Sequence, residues 1–240
     1  MTSAYFEELD YRPTPIGTLT LRRRKELSMG IDVFEIKLGE EYLMSSLFTA
    51  SEIALARLGL AELSATALDV VVGGLGLGYT AQAVLEHESV KSLIVIEALD
   101  AVLDWHTSGL LPLGPGLTGD PRCRFVHGDF FALAASDVGF DSADHARRFD
   151  AILVDIDHSP DFLLDDRNAA FYQPAGLVSL ASHLVPGGVF GLWSNEVPDE
   201  AFRQRLLGVF ADARAEPVTF YNPLQNREFT QTVYLARTSA

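Results

Sequence analysis

The 240-residue sequence has a single cysteine, Cys123, so it cannot form an internal disulfide or a cysteine-rich zinc site. Basic residues are also few: 18 Lys and Arg stand against 33 Asp and Glu, for a formal net charge of −15. So acidic a chain is a poor partner for nucleic acid or an anionic membrane. No apolar run approaches the roughly 20 residues of a membrane span, and the first residues lack the basic-then-apolar order of a secretion signal. We expect a soluble, cytoplasmic protein.

Two regions differ in pattern. Residues 1–48 carry short β-prone pieces with Gly17 and Gly30 as turn formers, which predicts a small N-terminal β-rich segment. From residue 49 to 240, apolar strands alternate with helical segments, which predicts an α/β domain with a mostly parallel sheet and helices on both faces. The predicted strands of this domain span 68–73, 92–97, 123–127, 150–155 and 188–193.

The most informative stretch is ALDVVVGGLGLGYTA, residues 67–81. An apolar strand ends in four closely spaced glycines, and a helical pattern follows. Bare backbone at such a turn lets a nucleotide-like ligand approach closely. Glu97 ends the next apolar run a little over twenty residues on, where a carboxylate can accept hydrogen bonds from ribose hydroxyls. The turn and the acid together predict a site for an adenosine-type ligand. The four glycines are Gly73, Gly74, Gly76 and Gly78.

Polar residues follow the other predicted strands as well. Asp129 comes after the third, Asp155, Asp157 and His158 after the fourth, and Trp193 at the end of the fifth. Since open parallel sheets bind ligands at the carboxyl edge, we expect these side chains to share one cleft. His158 fits a general base and a loop residue equally well. No spacing of His, Asp or Glu indicates a metal, so no metal site is expected.

The motifs GGLGLG, IEALD, DPRCRFVHGDFF, FDAILVDIDHSP and NAAFYQPAGLVSLASHLVPGGVF resemble, in order and spacing, the spermidine synthase (aminopropyltransferase) branch of the class I AdoMet-dependent methyltransferase superfamily. The resemblance covers roughly residues 65 to 192. It implies a Rossmann-like methyltransferase fold behind the β-rich segment, with S-adenosylmethionine or its decarboxylated form as co-substrate. It also implies a small-molecule acceptor and a possible homodimer.

The resemblance also implies roles for individual residues. Glu97 matches the acid that binds the ribose hydroxyls, and Asp129 the acid that faces the adenine amino group, with Phe130 on the ring. Asp155 matches the acid that helps take a proton from the attacking amine, a plausible task for a buried carboxylate. Asp157 and His158, which follow Asp155 closely, are added as further catalytic candidates.

The expected reaction depends on the positions at which this sequence differs from the spermidine synthase motifs. The synthases carry an acid where this chain has Gly76, and that acid would repel the carboxylate of intact AdoMet. Its loss favours methyl transfer from AdoMet as the first expectation. Aminopropyl transfer from decarboxylated AdoMet to an amine is the alternative. A non-catalytic AdoMet-binding module is a third possibility, because the polyamine motifs are altered. A nicotinamide dehydrogenase explains fewer of these residues.

Overall fold

The computed structural model describes residues 5–14 and 16–240. Its first part is a four-stranded antiparallel sheet in the order β1-β2-β3-β4. The β-prone pieces of the sequence fall in β2 and β3, whereas β1 and β4 were not predicted as strands; the residues of β1 alternate little in hydrophobicity. The strands span Phe6–Thr14 (β1), Gly17–Glu26 (β2), Ile31–Leu38 (β3) and Glu41–Ser45 (β4).

Alternation of apolar and polar residues gives this sheet its buried face. Leu19 and Leu21 of β2 are fully buried, and so is Val33 of β3. The basic run of β2, residues 22–25, is paired within the sheet, because Arg22 and Arg24 donate to Glu35 at 2.7 and 2.9 Å. Its other two members pair with Glu7 and Asp32 of the neighbouring strands. The run is therefore a structural ion-pair network.

The second sheet has seven strands in the order β10-β11-β9-β8-β5-β6-β7. The five strands β5 to β9 pair in parallel, which confirms the α/β fold class and the mostly parallel sheet. β10 and β11 form an antiparallel extension that pairs with β9. The strands span Leu68–Gly73 (β5), Val90–Glu97 (β6), Cys123–His127 (β7), Phe149–Val154 (β8), Leu184–Ser194 (β9), Asp212–Asn222 (β10) and Arg227–Arg237 (β11).

Helices cover both faces of this sheet and bury two apolar clusters. One cluster joins α1 and α2 to the sheet through Leu55 and Val84. The other joins α6 and α7 to the opposite face through Leu177 and Phe202. The helices span Ala50–Ala61 (α1), Tyr79–Leu85 (α2), Asp100–Thr107 (α3), Gly114–Gly119 (α4), Phe130–Ala134 (α5), Pro174–Ala181 (α6) and Glu200–Leu207 (α7), and a 3₁₀ turn spans Asp166–Ala170.

The strand order places the site. From β5 the chain moves outward to β6 and β7, then returns to the other side of β5 with β8 and β9. Such a reversal opens a crevice at the carboxyl ends of the two central strands. In residues 5–14 and 16–240, no helix combines the length and apolarity that a bilayer crossing requires.

Candidate active site

A cavity of about 550 Å³ opens at the carboxyl ends of β5, β6, β7 and β8. The ends of these strands and the loops after them supply Gly74, Glu97, Asp129 and Asp155 to its wall. The N-terminal sheet covers it from another side, and α1 contributes Glu52. Polar groups from strand ends far apart in the sequence therefore meet in one place, as a doubly wound sheet requires.

The glycine turn is built from bare backbone. Gly74, Gly76 and Gly78 have φ values of +90°, +46° and +94°, a region that side chains disfavour. A Cβ on Gly74 would lie 2.1 Å from the carbonyl oxygen of Asp155, so no side chain fits there. Gly74 and Gly76 line the cavity. Gly73, whose Cβ would meet the Phe130 ring at 2.6 Å, packs behind it.

Gly76 is fixed by two neighbours. His106, fully buried on α3, donates from Nε2 to the Gly76 carbonyl at 2.9 Å. The Met44 sulfur lies 2.8 Å from where a Gly76 Cβ would be and accepts a hydrogen bond from the Leu77 N–H at 3.1 Å. Met44 therefore fills the space that a side chain at position 76 would need. His106 holds the turn, and burial lowers its pKa.

Glu97 turns toward the glycine turn. Its Oε2 accepts the Leu75 N–H at 3.0 Å and its Oε1 accepts the Leu99 N–H at 2.8 Å. The residue is 8% exposed, and burial raises the pKa of its carboxyl while the backbone N–H groups oppose the rise. The side chain is thus oriented by backbone N–H groups, among them those of Gly76 and Ala98, and it lines the cavity.

Asp129 caps helix α5 at the cavity wall. Its Oδ1 accepts the N–H groups of Phe131 and Ala132 at 2.9 and 3.1 Å. Within the described part of the chain, its Oδ2 has no hydrogen-bond donor and is open to a ligand. The Phe130 ring also lines the cavity, stacked on Phe140 with ring centroids 5.1 Å apart.

Asp155 and Glu52 form a pair of acids in the cavity wall. Thr80 donates its hydroxyl to Asp155 Oδ2 at 2.7 Å. Burial raises the pKa of Asp155 to about 6. Glu52 is 7% exposed; burial, and then the charge of Asp155, raise its pKa to about 7. Carboxyls in this range can exchange protons near neutral pH.

Glu52 is held by a polar cluster at the end of β9. The Ser51 hydroxyl is fully buried and lies 2.7 Å from Glu52 Oε2. Trp193 donates its indole N–H to that hydroxyl at 2.8 Å, and Gln231 of β11 lies 2.6 Å from it. Trp193 also lines the cavity, so its ring is fixed in the wall beside the acid pair.

The two catalytic candidates after Asp155 occupy different environments. Asp157 is 2% exposed and does not line the cavity. Its carboxylate accepts hydrogen bonds from the Leu164 N–H at 2.7 Å, the Tyr172 hydroxyl at 2.8 Å and the Asn168 amide at 3.1 Å. This carboxylate anchors the loop between β8 and α6, so the structure does not bring it to the site.

His158 does line the cavity. Its ring stacks on Phe162, with centroids 5.0 Å apart, and its Nε2 lies 3.3 Å from a Glu41 oxygen, outside hydrogen-bond geometry. It lines the same cavity as Asp155, where it can contact a substrate.

Acids dominate the charge of the cavity wall. Of the described residues that line it, one is a guanidinium, Arg167, and its Nη2 pairs with Asp165 at 2.6 Å. No group of three potential metal ligands occurs in the described residues. The charge of the wall suits a cationic ligand. The carboxylate-bearing residues of the wall are Glu52, Glu97, Asp129, Asp155 and Asp165.

The sequence analysis missed Glu52. An acid in the first turn of a helix is usual, because it complements the positive end of the helix dipole. The surrounding SEIALARLGLA pattern predicts only a packed helix. The one available signal was that this acid falls on the buried side of the helix.

No protein-family model matches the chain, and no relative was found among curated proteins. Solved structures do resemble it. The spermidine synthase from Thermotoga maritima is 16% identical with a TM-score of 0.71, over 97% of this chain and 73% of that one. A spermidine synthase in complex with the transition-state analogue AdoDATO is 17% identical with a TM-score of 0.71, over 97% and 72%. The chain has the spermidine synthase-like fold that the motifs indicated.

Proposed function

We propose that the chain is a transferase that binds decarboxylated AdoMet and moves its aminopropyl group to the nitrogen of a small amine. The acidic cavity wall is the observation that carries this proposal. A decarboxylated donor has a sulfonium and an ammonium, and both are cations. The pair Glu52 and Asp155, with no free guanidinium in the described wall, suits such a ligand.

Intact AdoMet suits the same wall poorly. Its carboxylate would approach buried acids, and two like charges about 4 Å apart cost roughly 1 to 4 kcal/mol at the effective dielectrics of water and protein surface. Our first expectation, methyl transfer, considered only the missing acid at Gly76 and is not supported. Glu52 and Asp155 restore the discrimination from other elements. The likeness to spermidine synthases also favours the aminopropyl alternative.

The nucleoside end of the donor has a site of matching chemistry. The turn at Gly74 gives close access to backbone, and the Glu97 carboxylate lines the cavity as the acceptor for ribose hydroxyls. Asp129 offers an open carboxylate oxygen for an exocyclic amino group, and Phe130 contributes to the apolar wall next to it. These assignments follow the matches of the sequence analysis, and the cavity wall supports them.

The reaction requires positioning and one proton acceptor. The neutral amine nitrogen attacks the aminopropyl carbon bonded to sulfur; the nitrogen–carbon bond forms as the carbon–sulfur bond breaks. The electron pair of the broken bond stays on sulfur, which leaves as the thioether methylthioadenosine. The proton lost by the alkylated nitrogen passes to Asp155, which Thr80 holds in place. Much of the rate enhancement then comes from orienting the two reactants.

The test is product formation. Purified protein is incubated with decarboxylated AdoMet and a panel of primary amines, and methylthioadenosine and the alkylated amine are measured by mass spectrometry. Asp155→Asn should lower turnover by at least about 100-fold, as expected for a lost proton acceptor. Its affinity for methylthioadenosine should stay near that of the wild type. Asp161→Asn, an exposed acid of the same loop, is the matched control.

Two outcomes would overturn the proposal. Methylated products formed from intact AdoMet would show that the donor assignment is wrong. Donor binding without product across the whole amine panel would show that the chain is a binding module.

A further inference from the structure

The part of the cavity wall that the N-terminal sheet supplies is apolar. Ile36 of β3 and Leu43 and Met44 of β4 line the cavity, and Ile16 lines it from the turn before β2. Trp193, fixed by its bond to Ser51, adds an aromatic surface next to the acid pair. A substrate that extends beyond Glu52 and Asp155 toward these residues would contact aliphatic and aromatic side chains.

Each carboxylate of the cavity wall already has a partner in the protein or a role in the proposed reaction. Glu97 belongs to the glycine turn through its bonds to Leu75 and Leu99. Asp165 pairs with Arg167, whose charge also acts on Asp129. The acid pair serves the donor ammonium and the reacting amine. Within the described residues, no carboxylate is left in the wall for a second charge on the acceptor.

Two acids outside the wall, Asp157 and Glu41, cannot pair with a second ammonium either. Asp157 is buried and saturated by hydrogen bonds from Leu164, Asn168 and Tyr172. Glu41 is half-exposed and does not line the cavity; the His158 ring, 3.3 Å from it, lines the cavity instead. A second ammonium on the acceptor would therefore lie beside an imidazole and aliphatic side chains, with no carboxylate partner in the described part of the wall.

We propose that the acceptor is a monoamine with an apolar or aromatic substituent, and that this wall excludes diamines and polyamines. The proposal rests on the proposed transferase function, because it assigns the reacting amine to Glu52 and Asp155. Burying an unpaired ammonium is strongly unfavourable, whereas burying a methyl or phenyl group on the same wall is favourable. Specificity then comes from the absence of a partner for the second charge.

Binding can be measured without turnover. The full chain is saturated with methylthioadenosine, and pentylamine, phenethylamine and diaminobutane are titrated in by calorimetry. Pentylamine and diaminobutane have the same number of heavy atoms, so they differ chiefly in the second charge. We expect pentylamine and phenethylamine to bind at least about tenfold more tightly than diaminobutane, a difference of about 1.4 kcal/mol. Equal or tighter binding of diaminobutane, or no binding of any amine, would overturn the proposal.

A variant with an added carboxylate tests whether the lack of a charge partner sets the amine specificity. Ile16 is 39% exposed and lines the cavity, so Ile16→Glu adds a carboxylate to the apolar wall at little risk to folding. Met29→Glu is the matched control, because Met29 is 43% exposed in another turn of the same sheet and does not line the cavity. Ile16→Glu should tighten diaminobutane binding at least about threefold, as a partly exposed ion pair allows, and weaken pentylamine; Met29→Glu should change neither. No change in Ile16→Glu would contradict the charge argument.

The experiment separates this proposal from the transferase function. If methylthioadenosine is released from decarboxylated AdoMet but only with diamines, the transferase function stands and the monoamine proposal fails. If amines bind in the stated order but no methylthioadenosine is released, the acceptor assignment stands as a binding specificity and the transferase function fails.

Discussion

Replacing Glu97 with glutamine tests the nucleoside site. The substitution keeps the side-chain volume and removes the charge. In the wild type, the two carboxylate oxygens accept the N–H groups of Leu75 and Leu99 at 3.0 and 2.8 Å. Glutamine has one acceptor oxygen, so its amide NH₂ must face one of these N–H groups. A backbone donor then loses its partner inside the protein.

The substitution should have two measurable effects, one on folding stability and one on nucleoside binding. A buried N–H without a partner costs roughly 1 to 3 kcal/mol of folding stability, and removing a buried charge offsets part of this, because burial disfavours ionised Glu97. Losing hydrogen bonds from ribose hydroxyls to a charged acceptor should weaken nucleoside binding by roughly 1 to 3 kcal/mol, or about 5- to 150-fold.

Methylthioadenosine calorimetry and urea unfolding measure these two effects separately. Glu88→Gln, an exposed acid just before the other end of β6, is the control and should alter neither. A folded Glu97→Gln protein with wild-type affinity for methylthioadenosine would refute the ribose assignment.

Three further predictions concern the acids and the turn. The pKa of Glu52 rises from 4.5 to about 7 on folding, so the folded protein holds more protons than the unfolded chain between these pH values. Its unfolding free energy should therefore fall as pH rises through this range. Glu52→Gln should make the unfolding free energy, measured in urea, depend less steeply on pH. Gly76→Asp should destabilise the fold by roughly 1 to 2 kcal/mol, because position 76 has a positive φ. Adding Met44→Ala should recover part of the lost stability. In calorimetry, the double variant should select decarboxylated AdoMet more strongly than the wild type. Asp157→Asn should lower stability by roughly 1 to 3 kcal/mol in the same unfolding assay, without changing methylthioadenosine affinity.

Each of these predictions has a contradicting result. A Glu52→Gln slope equal to that of the wild type, with the exposed Glu86→Gln as control, would show that Glu52 ionises freely in the fold. A Gly76→Asp protein as stable as the wild type would show that Met44 leaves room at position 76. Loss of nucleoside binding in Asp157→Asn would mean that the loop anchor also shapes the nucleoside site.

Local patterns were sufficient to predict the parallel strands and the glycine turn. Apolar runs such as β5 and β8 are buried on both faces, so nothing but a central strand suits them. The placement of Glu97 beside the turn also follows from strand order, because β5 and β6 are neighbours with a fixed register. These features depend on few long-range contacts.

The acid pair and the fate of Asp157 could not be predicted in this way. Glu52 meets Asp155 only because α1 packs across the sheet, a contact between residues about a hundred positions apart. Asp157 follows Asp155 by two residues, yet its carboxylate turns toward Tyr172 and the loop backbone. The extension β10–β11 was missed for a related reason: only two residues of its outer strand are buried, so its apolar pattern is weak.

The proposed function requires the buried acids to select decarboxylated over intact AdoMet. The direct measurement is calorimetric titration of the wild-type protein with decarboxylated and intact AdoMet under one set of conditions at neutral pH. We expect the decarboxylated form to bind at least about tenfold more tightly, since like-charge repulsion of roughly 1 to 4 kcal/mol opposes the carboxylate. Equal affinities, or tighter binding of intact AdoMet, would contradict the account.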